Sequence, residues 1–363
     1  MIALLLPLLA GDGLYGADAS RPEVTAVEVD GAVFGAAADG RGPIGGGDGY
    51  RAGLRGGDHV VRDLEQLLAA LAAAEPGEVV FVPGEVTLDL TGVVKVEGLV
   101  LELRAGVTLA SDRGCEGSPG ALLFSDELLT RPLIRVTGDD ARVTGLRLQG
   151  PDAERRLDHH RRAYQGGRQR DPGYYYSLPT SDGIETRAHR LEVDGCELAG
   201  WSHAAVYLAR GEGHEVHHNF IHHCQRQGLG YGVCLDVAVA EITHNLFDWN
   251  RHSIAGTGRP GSGYRAAHNV ERGVSLSHLF DMHGGRDRGD GTDVAGTWIV
   301  VENNTFLCPR TAFKVRGEPE REARFAGNWC VHSGPGQAVV GERRTACGAN
   351  AYGVETPRVV TGR

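Results

Sequence analysis

Residues 217–236 read HHNFIHHCQRQGLGYGVCLD. His217, His218, His222 and His223 crowd around an asparagine and a short apolar run, an arrangement that suggests a metal site. The surrounding sequence turns that reading toward a repeat. A small residue or asparagine followed by apolar positions recurs as VTGLRL at Gly145, VDGCEL at Gly195, HHNFI at Asn219, THNLF at Asn245, AHNVE at Asn269, ENNTF at Asn304 and AGNWC at Asn328. From Gly195 onward, subtraction of successive anchor positions gives separations of 24, 26, 24, 35 and 24 residues. A second ladder runs in register with the first: DGIET, AAVYL, GVCLD, HSIAG, LFDMH and AFKVR. Two short strand-like runs per period, parted by polar and glycine-rich turns, make a solenoid whose units bury their apolar faces only by stacking. The runs are too short, too β-branched and too often broken by glycine for a helical solenoid. Asparagines at one turn position in successive coils stack as an amide ladder, so Asn219 reads as structural. His218, His244 and His268 precede their asparagines and read as turn residues rather than ligands.

The N-terminal side fits the same architecture. VRDLEQLLAALAAAEPGEVVFVPGEVTLDL, residues 61–90, predicts an amphipathic helix with Leu64, Leu67, Leu68 and Leu71 on one face. Pro76-Gly77 stops it and the strand EVVFVP follows. A solenoid needs its open end covered, and this helix is the expected cap. The helix, the segment PGEVVFVPGEV, and the coils marked HNFI, HNLF and NNTF together resemble the right-handed parallel β-helix, or pectate-lyase-like, superfamily over about residues 60–350. The resemblance implies an all-β right-handed parallel β-helix with an N-terminal capping helix. It implies no single activity, because that fold hosts lyases, hydrolases, epimerases and non-catalytic proteins. The expected organisation is a signal peptide at 1–19, an N-terminal extension at 20–59 and a β-helix domain at 60–355 with a loop insertion at 151–180.

The chain has 363 residues and a formal charge of -10, a balance that argues against a nucleic-acid partner. Its first residues carry a short apolar run followed by Ala17-Asp18-Ala19, the pattern of a cleaved leader, and the run is too short to span a bilayer. A secreted or periplasmic protein without a membrane span is expected. Seven cysteines form no C-x-x-C pair, which argues against a zinc ribbon, and most read as small apolar fillers. GLGYG and GTGRPGSG lack the lysine and the strand-to-helix setting of a phosphate loop.

Strand alternation sorts the second ladder into inside and outside. One inward column is Ile184, Val206, Val233, Ile254, Phe280 and Phe313. The next is Thr186, Leu208, Leu235, Gly256, Met282 and Val315. Outward between them lie Glu185, Tyr207, Cys234, Ala255, Asp281 and Lys314, followed by Arg187, Ala209, Asp236, Thr257, His283 and Arg316. This gathers Asp281, His283, Lys314, Arg316, Asp236 and Tyr207 as candidate catalytic residues. His203, Tyr231, Arg251, His252, Arg259 and Arg286 border the same groove. The insertion adds Arg155, Arg156, Arg161, Arg162, Arg168 and Arg170, and a run of tyrosines, with Tyr175 among the candidate substrate contacts. Guanidiniums pair with carboxylates and tyrosine rings give flat platforms, a combination suited to an anionic polysaccharide. β-Elimination at a uronate needs its carboxylate neutralised, the adjacent proton removed and the departing oxygen protonated. Lys314, Arg316 or His283 would be the base, Tyr207 or Tyr231 the acid, and calcium on Asp236 and Asp281, or Arg316, the neutraliser. An inverting hydrolase using Asp236 and Asp281 is the alternative enzyme. A transition metal held by Asp281-Met282-His283 with His203, His252 and Asp236 is a third chemistry. A carbohydrate-binding or structural protein without catalysis is the reading from another class.

Overall fold

The computed structural model describes residues 25–154, 157–165, 167, 170–226 and 228–353. The expected signal peptide, Arg155, Arg156 and Arg168 therefore lie outside the described residues. Among the described residues no helix is long and apolar enough to cross a membrane.

The chain forms a parallel β-helix with three faces. The first face, which carries the candidate site, stacks Leu101–Leu103, Ile134–Val136, Asp182–Thr186, the start of Ala204–His217, the start of Tyr231–Thr243, His252–Gly256, Phe280–Met282, Phe313–Val315 and Val339–Val340. The second face runs from His59–Val60 to Thr345–Cys347, and the third from Thr87–Asp89 to Ala351–Tyr352. The long strands Ala204–His217 and Tyr231–Thr243 continue from the first face into the second.

Both predicted inward columns are observed. Ile184, Val206, Val233, Ile254, Phe280 and Phe313 pair in succession and are fully buried. A train of ring contacts, Phe247–Phe280–Phe306–Phe325–Phe313, fills the interior toward the later coils. With the strands apolar on their inner faces, a one-residue slip would expose the whole set, which fixes the register.

The corner between the second and third faces holds the asparagine ladder. The side-chain amide of Asn219 donates to Asn245 Oδ1 at 3.0 Å, and the pattern repeats through Asn269, Asn304, Asn328 and Asn350. Each asparagine side chain also bonds a backbone carbonyl of a preceding coil, so the buried amides are satisfied. The residue just before Asn219, Asn245, Asn269 and Asn304 is left-handed: φ is 53° at His218, 55° at His244, 55° at His268 and 54° at Asn303. Gly145 and Gly195 share this conformation, with φ of 66° and 62°. The two glycine anchors thus align with the histidines and not, as the sequence suggested, with the asparagines. Cys196 takes the asparagine's place, its N–H donating to Asn219 Oδ1. The imidazoles of His218, His244 and His268 stack at 4.8 and 5.1 Å.

Residues 25–57 form a strap along this corner. Its hairpin, Ala26–Val29 and Ala32–Gly35, packs on Trp329 and Ala351 of the last coils. The chain then passes Thr305, His268 and His244 before Tyr50 bonds Asp194 at 2.7 Å. At Gly46 a Cβ would sit 2.3 Å from the carbonyl oxygen of His218, so only glycine permits that approach.

The predicted N-terminal helix spans Leu64–Ala73, is capped by Asp63, and packs on Val79–Phe81 and Leu101–Leu103. Its buried face is Leu67, Ala70 and Leu71, while Leu68 is exposed. The insertion at 151–180, expected as a loop, contains two short helices, Leu157–Gln165 and Pro172–Tyr176. All seven cysteines are free thiols.

Candidate functional site

The outward columns of the first face are also as alternation orders them. Glu185, Tyr207, Cys234, Ala255, Asp281 and Lys314 are successive register partners. The residues after them extend the alignment, setting Asp236, Thr257, His283 and Arg316 side by side. Asp182, Ala204, Tyr231 and His252 form a third column, which His278 continues.

Asp281 is the centre of the wall. Its side chain is 0% exposed although it points outward, because a layer of rings and a guanidinium covers it. Arg316 donates to both oxygens, at 2.7 and 3.2 Å. His283 Nε2 stands 3.0 Å and His278 Nε2 3.1 Å from the carboxylate, with His252 Nε2 at 3.9 Å. Desolvation alone would raise the Asp281 pKa, yet hydrogen bonds from His278 and His283 hold its carboxyl well below the usual range. Burial pushes the pKa of His278 down and that of His252 well down, which disfavours the imidazolium form of both. An imidazole that gives Nε2–H to a carboxylate presents Nδ1 as a proton acceptor. His283 is the more accessible of the two rings on Asp281, at 25% side-chain exposure against 12% for His278.

A second polar group lies on earlier coils. Asp182 Oδ1 is 2.5 Å from His203 Nδ1, and Arg131 pairs with the other oxygen at 3.1 Å. Tyr207 and Tyr231 meet the His203 ring edge-on, and Tyr231 stacks on His252 with Arg251 over its other neighbourhood at 5.9 Å from the ring centre. Between the two groups Ala204, Tyr231, Cys234 and Ala255 make an apolar strip. The wall is therefore polar, apolar and polar again along the stacking axis.

Several expected members fall elsewhere. Tyr207 is three coils from Asp281, about 14 Å by strand spacing, and belongs to the His203 group. Asp236 is two coils from His283 and is bonded by Thr257 at 2.6 Å and Arg259 at 2.9 Å. Asp281 is neutralised by Arg316 in the same way, so the two carboxylates expected to hold calcium each face a guanidinium. That donor set does not fit a calcium ion, which needs several free carboxylate oxygens. Arg286 leaves the groove to pair with Asp293 and Glu342. Tyr175 is only 2% exposed, packed among Tyr164, Tyr176 and Arg226; it anchors the insertion and offers no platform to solvent. Arg259 is exposed but occupied by Asp236.

His278 and Asp182 were absent from the sequence-based set. Strict alternation makes Gly183, Ala205, Gly232, Ser253 and Leu279 the next outward positions. The pairing skips these residues, and Ala205 and Leu279 lie in the core. The outward role passes to the residue before each. The usable signal was vertical: His252 and His278 both lie three residues before a member of the Asp281 column.

No family model matches the chain, and no curated protein matches it. Among solved structures, the chain is similar to an alginate lyase from Paenibacillus sp. str. FPU-7, with a TM-score of 0.53 and 16% identity over 82% of this chain and 96% of that one. A Dettilon tailspike protein aligns with a TM-score of 0.34 and 10% identity, over 79% of this chain and 63% of its own. The fold is that of a parallel β-helix.

Proposed function

We propose that the protein is a polysaccharide lyase that cleaves a uronate-containing polymer by β-elimination on the outward wall around Asp281. The observation that carries this reading is one buried aspartate that gathers two imidazoles and a guanidinium on the outward wall. His283, oriented by Asp281, takes the proton next to the uronate carboxylate. Lys314, beside Asp281 in register, supplies the counter-charge to that carboxylate together with Arg316. The proton taken up by His283 then passes from its imidazolium to the departing oxygen, which restores the neutral ring. The His203 group binds the chain further along the wall. The similarity to an alginate lyase supports a polysaccharide substrate through its fold.

Hydrolysis by two carboxylates is disfavoured. Each carboxylate is engaged by a guanidinium, Asp281 by Arg316 and Asp236 by Arg259, and Asp281 is fully buried, so the pair is not presented to a water and a leaving oxygen. The test is incubation with alginate, polygalacturonate and glycosaminoglycans, read at the ultraviolet band of the unsaturated product. Absorbance that rises with new chain ends supports elimination. New reducing ends without absorbance indicate hydrolysis, and binding without either signal indicates a carbohydrate-binding protein.

A further inference from the structure

We propose that Asp39, His218 and His244 bind one divalent transition-metal ion, of which zinc best suits the ligands, and that this ion staples the strap to the corner of the β-helix. The site lies apart from the Asp281 wall, on the corner of the asparagine ladder. One ligand atom from each of the three residues lies within 4.8 Å of the others. His218 Nε2 is 3.2 Å from Asp39 Oδ1, and His244 Nε2 is 3.9 Å from Asp39 Oδ2. Two imidazoles and one carboxylate, with a fourth position open, form a recognised zinc donor set.

Proton positions argue for a cation between these groups. A carboxylate only accepts, so Glu192 Oε1, 3.2 Å from His217 Nε2, places the proton of that ring on Nε2. Arg41 Nη1 also reaches this nitrogen, at the longer distance of 3.4 Å. With that tautomer His217 Nδ1 accepts from His218 Nδ1, 3.1 Å away; the Tyr50 hydroxyl, whose proton goes to Asp194, lies farther from the same nitrogen, at 3.5 Å. Neutral His218 is left with a bare Nε2 lone pair aimed at a carboxylate oxygen. Two acceptors facing each other at that distance repel, and a metal ion resolves the contact. Glu192 and His217 become the outer partners that fix the ligand's tautomer. Tyr50, which bonds Asp194, closes the same cluster beside His217. His244 Nδ1 is buried without a hydrogen-bond partner, so that ring is held chiefly by stacking and is free to turn the short way toward the ion. Arg41 donates to Asp39 through Nε at 2.9 Å and through its backbone N–H, and keeps the carboxylate presented to the corner.

The experiment uses the full chain, stripped with a chelator and titrated with zinc chloride by calorimetry, alongside thermal melts with and without zinc. The expected result is one equivalent bound and a higher melting temperature with zinc. Asp39→Asn and His244→Asn should each weaken zinc binding by about 100-fold or more, and asparagine tolerates the left-handed backbone at 244. Glu192→Gln, at a half-exposed side chain that the fold can spare, should weaken it by about 10- to 100-fold through the tautomer. His278→Ala should keep the equivalent, which separates this site from the Asp281 wall. No zinc uptake by the wild-type chain overturns the proposal. So does uptake of equal affinity in Asp39→Asn and His244→Asn, or in Glu192→Gln.

Discussion

The wall around Asp281 and the corners of the β-helix are built from the same side chains, histidine, aspartate and asparagine, buried to similar depth. They differ in what satisfies them. At the corners the polar atoms bond the backbone: Asn219, Asn245 and Asn269 each hold a carbonyl and the next amide. On the wall the contacts run from side chain to side chain across coils: Arg316 bonds Asp281, His283 Nε2 and His278 Nε2 stand 3.0 and 3.1 Å from it, and among the described residues these two nitrogens and His252 Nε2 are buried with no hydrogen-bond partner. Corner bonds define the turn of each coil from Asn219 to Asn350. Nothing in the fold requires the wall cluster. A concentration of charge that the fold does not need, next to an accessible imidazole, marks the place where function is to be sought.

The largest expected effect breaks this comparison at its centre. Asp281→Asn removes the charge that orients both imidazoles and leaves Arg316 with Asp287 alone. Turnover of the uronate polymer should fall on the order of 10⁴-fold, as when a triad aspartate is neutralised. Because the carboxylate is buried and paired with Arg316, the variant should also lose about 3–5 kcal/mol of stability, measured by denaturant unfolding. An outward position was expected to contribute little to the core, and here its ring cover makes it structural as well. Unchanged turnover in a folded Asp281→Asn protein would move the reaction off this wall. His283→Ala follows, with a rate loss of about 10²–10⁴ and an almost unaltered unfolding midpoint, since that ring is partly open to solvent. Equal loss of stability and rate would make His283 a packing residue.

The corner gives the complementary result. Asn245→Ala leaves the amide N–H of Asn219 and its side-chain NH₂ without their shared acceptor. A cost of about 1–3 kcal/mol is expected, with kcat unchanged for the folded fraction. A fall in kcat without a stability change would contradict the division between corner and wall.

How much of this could be read from the sequence depends on where the chain is periodic. The inward column from Ile184 to Phe313 and the outward column from Glu185 to Lys314 were legible because side chains alternate and one face is buried. His278 and Asp182 were not, because on the middle coils of the first face the pairing skips one residue, Gly183, Ala205, Gly232 and Ser253 in turn, and alternation fails there. The strap has no repeat at all; its glycine-rich passage from Gly45 to Gly49 reads as linker until His218 and His244 are seen beneath it. Tyr175 sits in the insertion, where no period distinguishes a buried ring from its exposed neighbours Tyr174 and Tyr176. The glycine anchors slipped by one because glycine and histidine share the left-handed position while asparagine follows it.

The smallest effect concerns the corner between the third and first faces, where His223 and Trp249 are left-handed and their rings stack at 5.8 Å. Burial brings the His223 pKa down to about 4, while burial raises Asp248 to about 6. For His223 the unfolded chain binds the extra proton between about pH 6.5 and 4, so this residue makes stability fall as pH drops through that window. For Asp248 the folded state binds it between about pH 3.8 and 6, so this residue makes stability fall as pH rises. The two nearly cancel in the wild type, each acting with a slope of at most about 1.4 kcal/mol per pH unit. Asp248→Asn should therefore leave a protein that loses stability more steeply on acidification from pH 6 to 4, and His223→Asn one that loses it less. Urea midpoints at pH 4.5 and 6.0 distinguish these slopes. Two variants with the same pH dependence as the wild type would mean that the corner's ionisable groups are as solvated as surface ones. The contrast with the Asp281 wall would then rest on hydrogen-bond pattern alone.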